Sequence, residues 1–134
     1  MDRTTVSVSF SIYGDDFDLN DVIKRIGIEP NETRIKGLVP EGGRNKSVET
    51  SWTVATKEEF SFDINDQLDK IIALLKPREN ILLKIKNDFK VNFVFMILIK
   101  IENNEKPAIY FNTKSLNFIN GINAEIEIDY YIYS

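Results

Sequence analysis

The chain contains no cysteine and no histidine. The first absence excludes disulfide bonds, thiolate nucleophiles and thiolate metal sites, and it fits a reducing compartment. The second removes the side chain that most often acts as a general base at neutral pH and as a ligand for zinc, copper or iron. Catalysis would have to use carboxylate, lysine, tyrosine or hydroxyl groups. We therefore expect a protein that is not an enzyme and that needs no metal or cofactor.

Long apolar runs and an excess of basic charge are also missing. The most apolar segment, residues 91–99, is much shorter than the ~20 residues of a membrane-spanning helix. The 17 basic and 21 acidic side chains give a net charge of −4, whereas nucleic-acid binding needs a clustered basic surface. The N-terminal residues alternate and lack the apolar core of a targeting peptide. We predict a cytoplasmic protein that binds neither nucleic acid nor a membrane.

The chain does contain a mixture of strand and helix patterns, which we interpret as one domain over residues 1–134. Strict alternation at 6–13 predicts a strand with one polar face. The apolar repeat from Ile64 to Leu75 predicts the main amphipathic helix, which Pro77 should end. Further strands are predicted at 51–56, 81–86, 91–101 and 124–133, with a hairpin turn at 87–90.

Two short helices complete the predicted fold. Their segments, FDLNDVIKRIGI at 17–28 and FNTKSLNFINGI at 111–122, align without a gap, and each lies between two strands. Two explanations stay open: any short capped helix has this pattern, or a strand–helix–strand unit was duplicated to give two similar halves. The expected fold class is α+β, with a largely antiparallel sheet of about five strands, one main amphipathic helix and two short helices.

Residues 33–52 form the first candidate site. The loop at 37–51 is rich in glycine and poor in apolar residues, which predicts a long connection on an ordered scaffold. Basic side chains beside glycine-rich turns favour an anion. The segment therefore predicts a small-molecule or anion-binding site, with a solvated loop as the alternative. Its candidate binding residues are Thr33, Arg34, Lys36 and Trp52.

The last predicted strand places three carboxylates and two tyrosines on one face. Tyr131 and Tyr133 on this polar face are typical contact residues for a protein partner, so we predict a binding surface that also includes Asp129. Together with Glu125 and Glu127, Asp129 would alternatively serve acid–base chemistry in a hydrolase. The opposite face is expected to point into the core, through Ile126, Ile128, Tyr130 and Ile132.

The order of several short motifs resembles a bacterial family of similar length, the domain of unknown function 4279. The resemblance covers nearly the whole chain and implies no catalytic residues. Small acidic bacterial domains of this kind are often considered to be immunity proteins that neutralise toxins, so it implies a protein partner. The motifs are Gly27, Ile28, Pro30, Lys36, Gly37, Trp52 and the ending at 129–133.

These patterns favour a non-enzymatic binding module, and the family resemblance implies a bacterial protein of the immunity type. It would contact a protein partner through the polar strand face and the loop at 37–51. The alternative is a small-molecule or anion-binding domain that uses residues 33–52. A homodimer is a further expectation, because the strand at 91–101 is apolar on both faces, which is typical of a covered central strand or of an association surface.

Overall fold

The computed structural model describes residues 3–133, in which a mixed sheet is covered on one face by helices. This arrangement confirms the predicted α+β class. The strands are β1 (Thr5–Gly14), β2 (Glu32–Arg34), β3 (Thr50–Ala55), β4 (Glu59–Phe60), β5 (Asn92–Glu102) and β6 (Glu125–Tyr133). The helices are α1 (Leu19–Ile26), α2 (Ile64–Leu75), α3 (Glu79–Phe89) and α4 (Thr113–Gly121).

The six strands form one sheet with the order β2–β3–β1–β5–β6, and β4 pairs with the first residues of β1. Each pairing is antiparallel except that of β5 with β6, which is parallel from Val94 opposite Glu125 to Glu102 opposite Tyr133. Parallel neighbours require a long crossover, and α4 lies in this one. The predicted antiparallel character is confirmed, while the short strands β2 and β4 are additions to the prediction.

The core lies between the sheet and the helices. Phe10 is at its centre, with its ring centroid 5.0–6.4 Å from those of Trp52, Phe93 and Phe95. Alternate residues of β1, β3 and β5 are buried on this side, whereas the residues between them are only half-buried. We call the uncovered side of the sheet the open face. Its side chains include Ser7, Ser9, Ser11, Tyr13, Ser51, Thr53, Val94, Met96, Leu98, Glu127, Asp129, Tyr131 and Tyr133.

The two short helices begin in the same way. The Asp18 side chain accepts a hydrogen bond from the Asp21 N–H at 3.1 Å, and that of Asn112 accepts one from the Ser115 N–H at 2.8 Å. Gly27 ends α1 in the left-handed region, with φ of 71°. After α1 the chain enters strands antiparallel to their neighbours, whereas after α4 it enters the parallel strand β6. The halves thus share helix caps but differ in topology, and their duplication stays a hypothesis.

The predicted strand at 81–86 and hairpin turn at 87–90 are wrong, because this segment forms α3 and its end. Pro77 lies in a single 3-10 turn between α2 and α3 and does not stop the helical path. Proline is accepted in the first turn of a helix, where its missing N–H would have no intrahelical acceptor. Leu82 and Ile85 bury one side of α3 in the core. Within residues 3–133, each helix lacks the length or the apolar character needed to cross a bilayer.

β6 lies at the edge of the sheet, where the helices leave it uncovered. Ile128, Tyr130 and Ile132 point to the helix-bearing side beside buried residues of β5, yet they are 40%, 60% and 63% exposed. The prediction that these three side chains lie in the core is therefore wrong, and only Ile126 packs against it. β5 lies between β1 and β6 and is therefore an internal strand of the sheet, while association through its face stays a prediction.

Candidate functional site

The predicted residues at 33–52 are divided between the two faces of the sheet. Thr33 pairs with Trp52, and Arg34 pairs with Ser51. Because successive strand residues point to opposite faces, Thr33 and Trp52 lie on the helix-bearing side and Arg34 lies on the open face. Trp52 is 0% exposed. Its ring belongs to the core and not to a surface that a ligand reaches, which argues against its predicted binding role.

Two basic side chains of this segment, Arg34 and Lys36, lie beside carboxylates. Arg34 Nε is 2.8 Å from Glu32 Oε1, and Lys36 Nζ is 2.6 Å from Asp15 Oδ1. The hydrogen bond that Lys36 donates to Asp15, followed by the charge of Asp15, raises the pKa of Lys36. The positive charges of Arg34 and Lys36 are therefore partly offset by neighbouring carboxylates.

The loop between β2 and β3 folds back on itself. The Gly37 N–H donates to the Ser47 carbonyl at 2.9 Å, and the Ser47 N–H donates to the Leu38 carbonyl at 2.8 Å. At the tip, the Gly43 N–H donates to the Pro40 carbonyl at 2.9 Å. These bonds give the loop a defined shape, and its residues 47–49 lie along one side of the sheet.

A cavity of about 940 Å³ lies between this loop, β2 and the end of α1. Thr33 lines it together with polar backbone of the glycine-rich tip. Three carboxylates outnumber the two arginines around it, which does not favour an anionic ligand. These charged residues are Glu29, Glu32, Glu41, Arg34 and Arg44.

A second cavity, of about 700 Å³, lies over the open face. Its floor crosses four strands, and its wall is formed by β2 and the loop at 47–49. The floor combines hydroxyl groups with an apolar centre. Floor residues are Ser9, Ser11, Tyr13, Ser51, Thr53, Val94, Met96 and Glu127, and wall residues are Glu32, Arg34, Ser47, Val48 and Glu49.

Negative charge surrounds Tyr13 on this floor. Burial, and then the charges of Glu125, Glu127 and Glu49, raise the pKa of the Tyr13 phenol. Glu49 belongs to the loop, whereas Glu125 and Glu127 belong to β6, so carboxylates act on Tyr13 from two separate elements. The open face therefore presents an apolar and hydroxyl-bearing floor in a negative potential, which attracts basic groups.

The predicted residues of β6 extend the same face beyond the cavity. Asp129, Tyr131 and Tyr133 are exposed and alternate along the strand. The Tyr131 hydroxyl donates to Asp129 Oδ2 at 3.1 Å, and this hydrogen bond raises the pKa of Tyr131. The structure thus brings Arg34 and the three β6 residues onto one face of the sheet, at opposite ends.

Sequence reasoning did not identify the floor between them, which includes Ser9, Ser11 and Met96. Two signals were present: the alternate serines of β1, and the apolar residues on both faces of β5. They could not be connected without the strand order, because only the pairing of β1 with both β3 and β5 makes these residues neighbours.

The open face carries hydroxyl groups that bond to one another. The hydroxyl oxygens of Ser11 and Thr53 lie 2.7 Å apart and bond to one another. Within the described chain, residues 3–133, no group of three or more acidic side chains could hold a metal ion. The face offers apolar side chains, hydroxyl groups and carboxylates, together with Lys100, which is paired with Glu58.

A family model described as "Domain of unknown function (DUF4279)" matches residues 4–133, nearly the whole chain. The resemblance inferred from the sequence motifs is thereby confirmed. No curated protein and no solved structure matches the chain.

Proposed function

Because the chain belongs to the DUF4279 family, whose description names no activity, we propose a function from the geometry of the open face. The protein is a non-enzymatic binding module that receives a basic segment of a protein partner on this face. The proposal rests on one observation. The floor of the open face has an apolar centre that the helices leave uncovered, and carboxylates from two elements lie around it.

The apolar part of this surface lies at the centre of the sheet. Val94, Met96 and Leu98 follow one another along β5 on the open face, and each is half-buried. Serine hydroxyls of β1 and carboxylates of β6 flank them on either side. An apolar centre within a polar rim is the usual anatomy of a protein interface, and methionine adapts well to irregular partner surfaces.

Charge selects the kind of partner. Glu49 and Glu127 line the floor and its wall, and Asp129 continues the acidic row on β6. Arg34, the basic side chain on the wall, is paired with Glu32. A partner that presents lysine or arginine around an apolar anchor would complement this arrangement and would be steered toward it.

A small-molecule or anion site at residues 33–52 is supported less well. The cavity there carries more carboxylates than arginines, and Trp52 is buried away from it. The open face is also shallow and extends from the loop at 47–49 to the end of β6, whereas small ligands are usually enclosed on most sides. A polypeptide fits this surface better.

The immunity role is the more specific form of the proposal. An acidic module would neutralise a toxin by covering a basic surface on it, and the absence of cysteine is compatible with cytoplasmic action. Co-expression with the products of neighbouring genes tests this form. Growth rescue by the wild type but not by Glu127→Lys would support it, and equal growth with both would contradict it.

Affinity capture with matched variants tests the binding function. The baits are the wild type, Glu127→Lys on the open face and Asp69→Lys on α2. Each is exposed to proteins of the source bacterium and to the products of neighbouring genes. Both substitutions replace an exposed carboxylate by a lysine, but only the first lies on the proposed surface. Glu127→Lys should weaken the partner's affinity about tenfold, or ~1.4 kcal/mol, through like-charge repulsion.

Asp69→Lys should retain the partner at the wild-type level, since α2 lies on the other side of the sheet. Tyr131→Ala should weaken binding through the loss of aromatic contact area. The proposal fails if captures yield no stoichiometric partner, or if a partner is held equally well by Glu127→Lys and by Met96→Asp.

A further inference from the structure

β6 presents a long edge at which only three carboxylates, Glu125, Glu127 and Asp129, oppose pairing with another strand. It contains nine residues and pairs with β5 on one side, and among residues 3–133 no strand pairs with its other side. Its register with β5 runs without a bulge, and it contains no lysine, arginine, proline or glycine. Soluble proteins usually protect sheet edges with charged side chains, above all lysine, with proline, with bulges or with very short strands. The opposite edge, β2, has three residues, which is such a protection.

The two sides of β6 have different chemistry. On the helix-bearing side, Ile128, Tyr130 and Ile132 form an apolar stripe that the helices leave exposed. On the open face, the carboxylates come first and the tyrosines last along the strand. When a second copy of the strand is placed antiparallel to it, the carboxylates of each copy therefore lie opposite the tyrosines of the other.

We propose that β6 is the interface of a homodimer. A second copy of the chain adds its β6 antiparallel to this strand, and the two sheets become one continuous sheet. The two-fold axis stands perpendicular to the sheet at Tyr130, so each face continues into the same face of the other copy. Backbone N–H and C=O groups at the outer side of β6 then gain hydrogen-bond partners.

The register at Tyr130 matches side chains on both faces. On the helix-bearing side, Ile128 faces Ile132 of the second copy, and Tyr130 faces its counterpart. On the open face, Asp129 faces Tyr131 and Glu127 faces Tyr133, so each carboxylate meets a phenol that donates a hydrogen bond. The same chemistry is already present within one copy, where the Tyr131 hydroxyl donates to Asp129.

Neighbouring registers are worse. An axis at Asp129 places this carboxylate opposite itself, and an axis at Ile128 places Glu127 opposite Asp129. Like charges directly across a strand pair are destabilising. An axis at Tyr131 avoids this contact but shortens the ladder. The register centred on Tyr130 is the longest one without facing carboxylates.

Sedimentation velocity tests the dimer across a dilution series. The wild type should sediment at twice the chain mass of 15.5 kDa and dissociate on dilution. Tyr130→Lys places two ammonium groups face to face on the axis and should give a monomer at each concentration. Tyr110→Lys makes the same change at a residue of similar exposure, 52%, outside β6, and should remain dimeric. A wild type that stays monomeric at the highest concentration overturns the proposal.

Single cysteines test the register, because the chain has none of its own. Directly opposite residues of a strand pair have Cβ atoms about 4.5–5.5 Å apart, close to the distance that a disulfide requires. Under mild oxidation, Tyr130→Cys should form a covalent dimer, whereas Asp129→Cys, which faces Tyr131, should not. Cross-linking of Asp129→Cys in preference to Tyr130→Cys overturns the proposed axis.

The dimer does not rest on the proposed partner function, and the two fail separately. Loss of dimerisation in Tyr130→Lys leaves the floor at Met96 and Ser9 unchanged, so capture of a partner by this variant is still measurable. A dimer would join two open faces into one surface and would increase binding to a repeated or symmetric partner by avidity.

Discussion

Trp52 is a single core side chain on which much of the stability of this protein depends. Its indole is fully buried on β3 and packs edge-to-face with Phe10, with ring centroids 6.4 Å apart. Among the described residues its N–H has no hydrogen-bond acceptor. The ring therefore contributes through apolar contact and through the volume that it fills.

We expect Trp52→Ala to lower the free energy of unfolding by about 3–5 kcal/mol, because a large cavity would remain between β3 and α1. Urea denaturation followed by circular dichroism measures this loss. Val48→Ala, at an exposed position of the loop, is the control and should change the value by less than about 0.5 kcal/mol. A small effect at Trp52, or ready quenching of its fluorescence by iodide, would contradict the burial.

At the scale of elements, α3 ends at a residue whose backbone conformation is unfavourable for its side chain. Lys90 adopts φ of 54°, in the left-handed region, and its N–H donates to the Lys86 carbonyl at 3.0 Å. A side chain costs free energy in this conformation, whereas glycine adopts it freely.

Lys90→Gly should therefore raise the free energy of unfolding by about 0.5–1 kcal/mol. Thermal unfolding of the two proteins at one concentration measures the gain. Lys84→Gly, at an exposed position inside α3, should lower the same quantity by about 1 kcal/mol. The cap assignment fails if both glycine variants are destabilised equally.

For the whole molecule, the sheet order predicts a gradient of stability from the centre to the edges. β1 and β5 are paired on both sides and carry most of the buried aromatic residues, whereas β2 is a short edge strand. In hydrogen–deuterium exchange, the amides of β1 and β5 should exchange slowest and those of β2 much faster. In Tyr130→Lys, the outer amides of β6 should exchange fast as well. Slower exchange in β2 than in β5 would contradict this order.

Local patterns were sufficient for much of this architecture. The alternation of β1 and the apolar repeat of α2 each follow directly from the side-chain periodicity of one element. α3 was mistaken for a strand because Pro77 was interpreted as a stop, although proline is compatible with the first turn of a helix. The spacing of Leu82, Ile85 and Phe89 was the helical signal that this interpretation obscured.

Properties that depend on other elements could not be predicted from one segment. The exposure of Tyr130 and Ile132 depends on how far the helix layer extends over the sheet, which no pattern within β6 records. The composition of the candidate site also depends on how separate elements are arranged. Arg34 and Asp129 share a face because of the strand order, and Trp52 and Arg34 are separated because strand residues alternate.

The parallel pairing of β5 with β6 also sets the order in which the strands can pair during folding. β5 precedes the crossover and α4 in the chain, so a strand rich in phenylalanine and isoleucine keeps one unpaired edge until β6 folds back beside it. Chains in this state offer an apolar edge to chaperones and to one another.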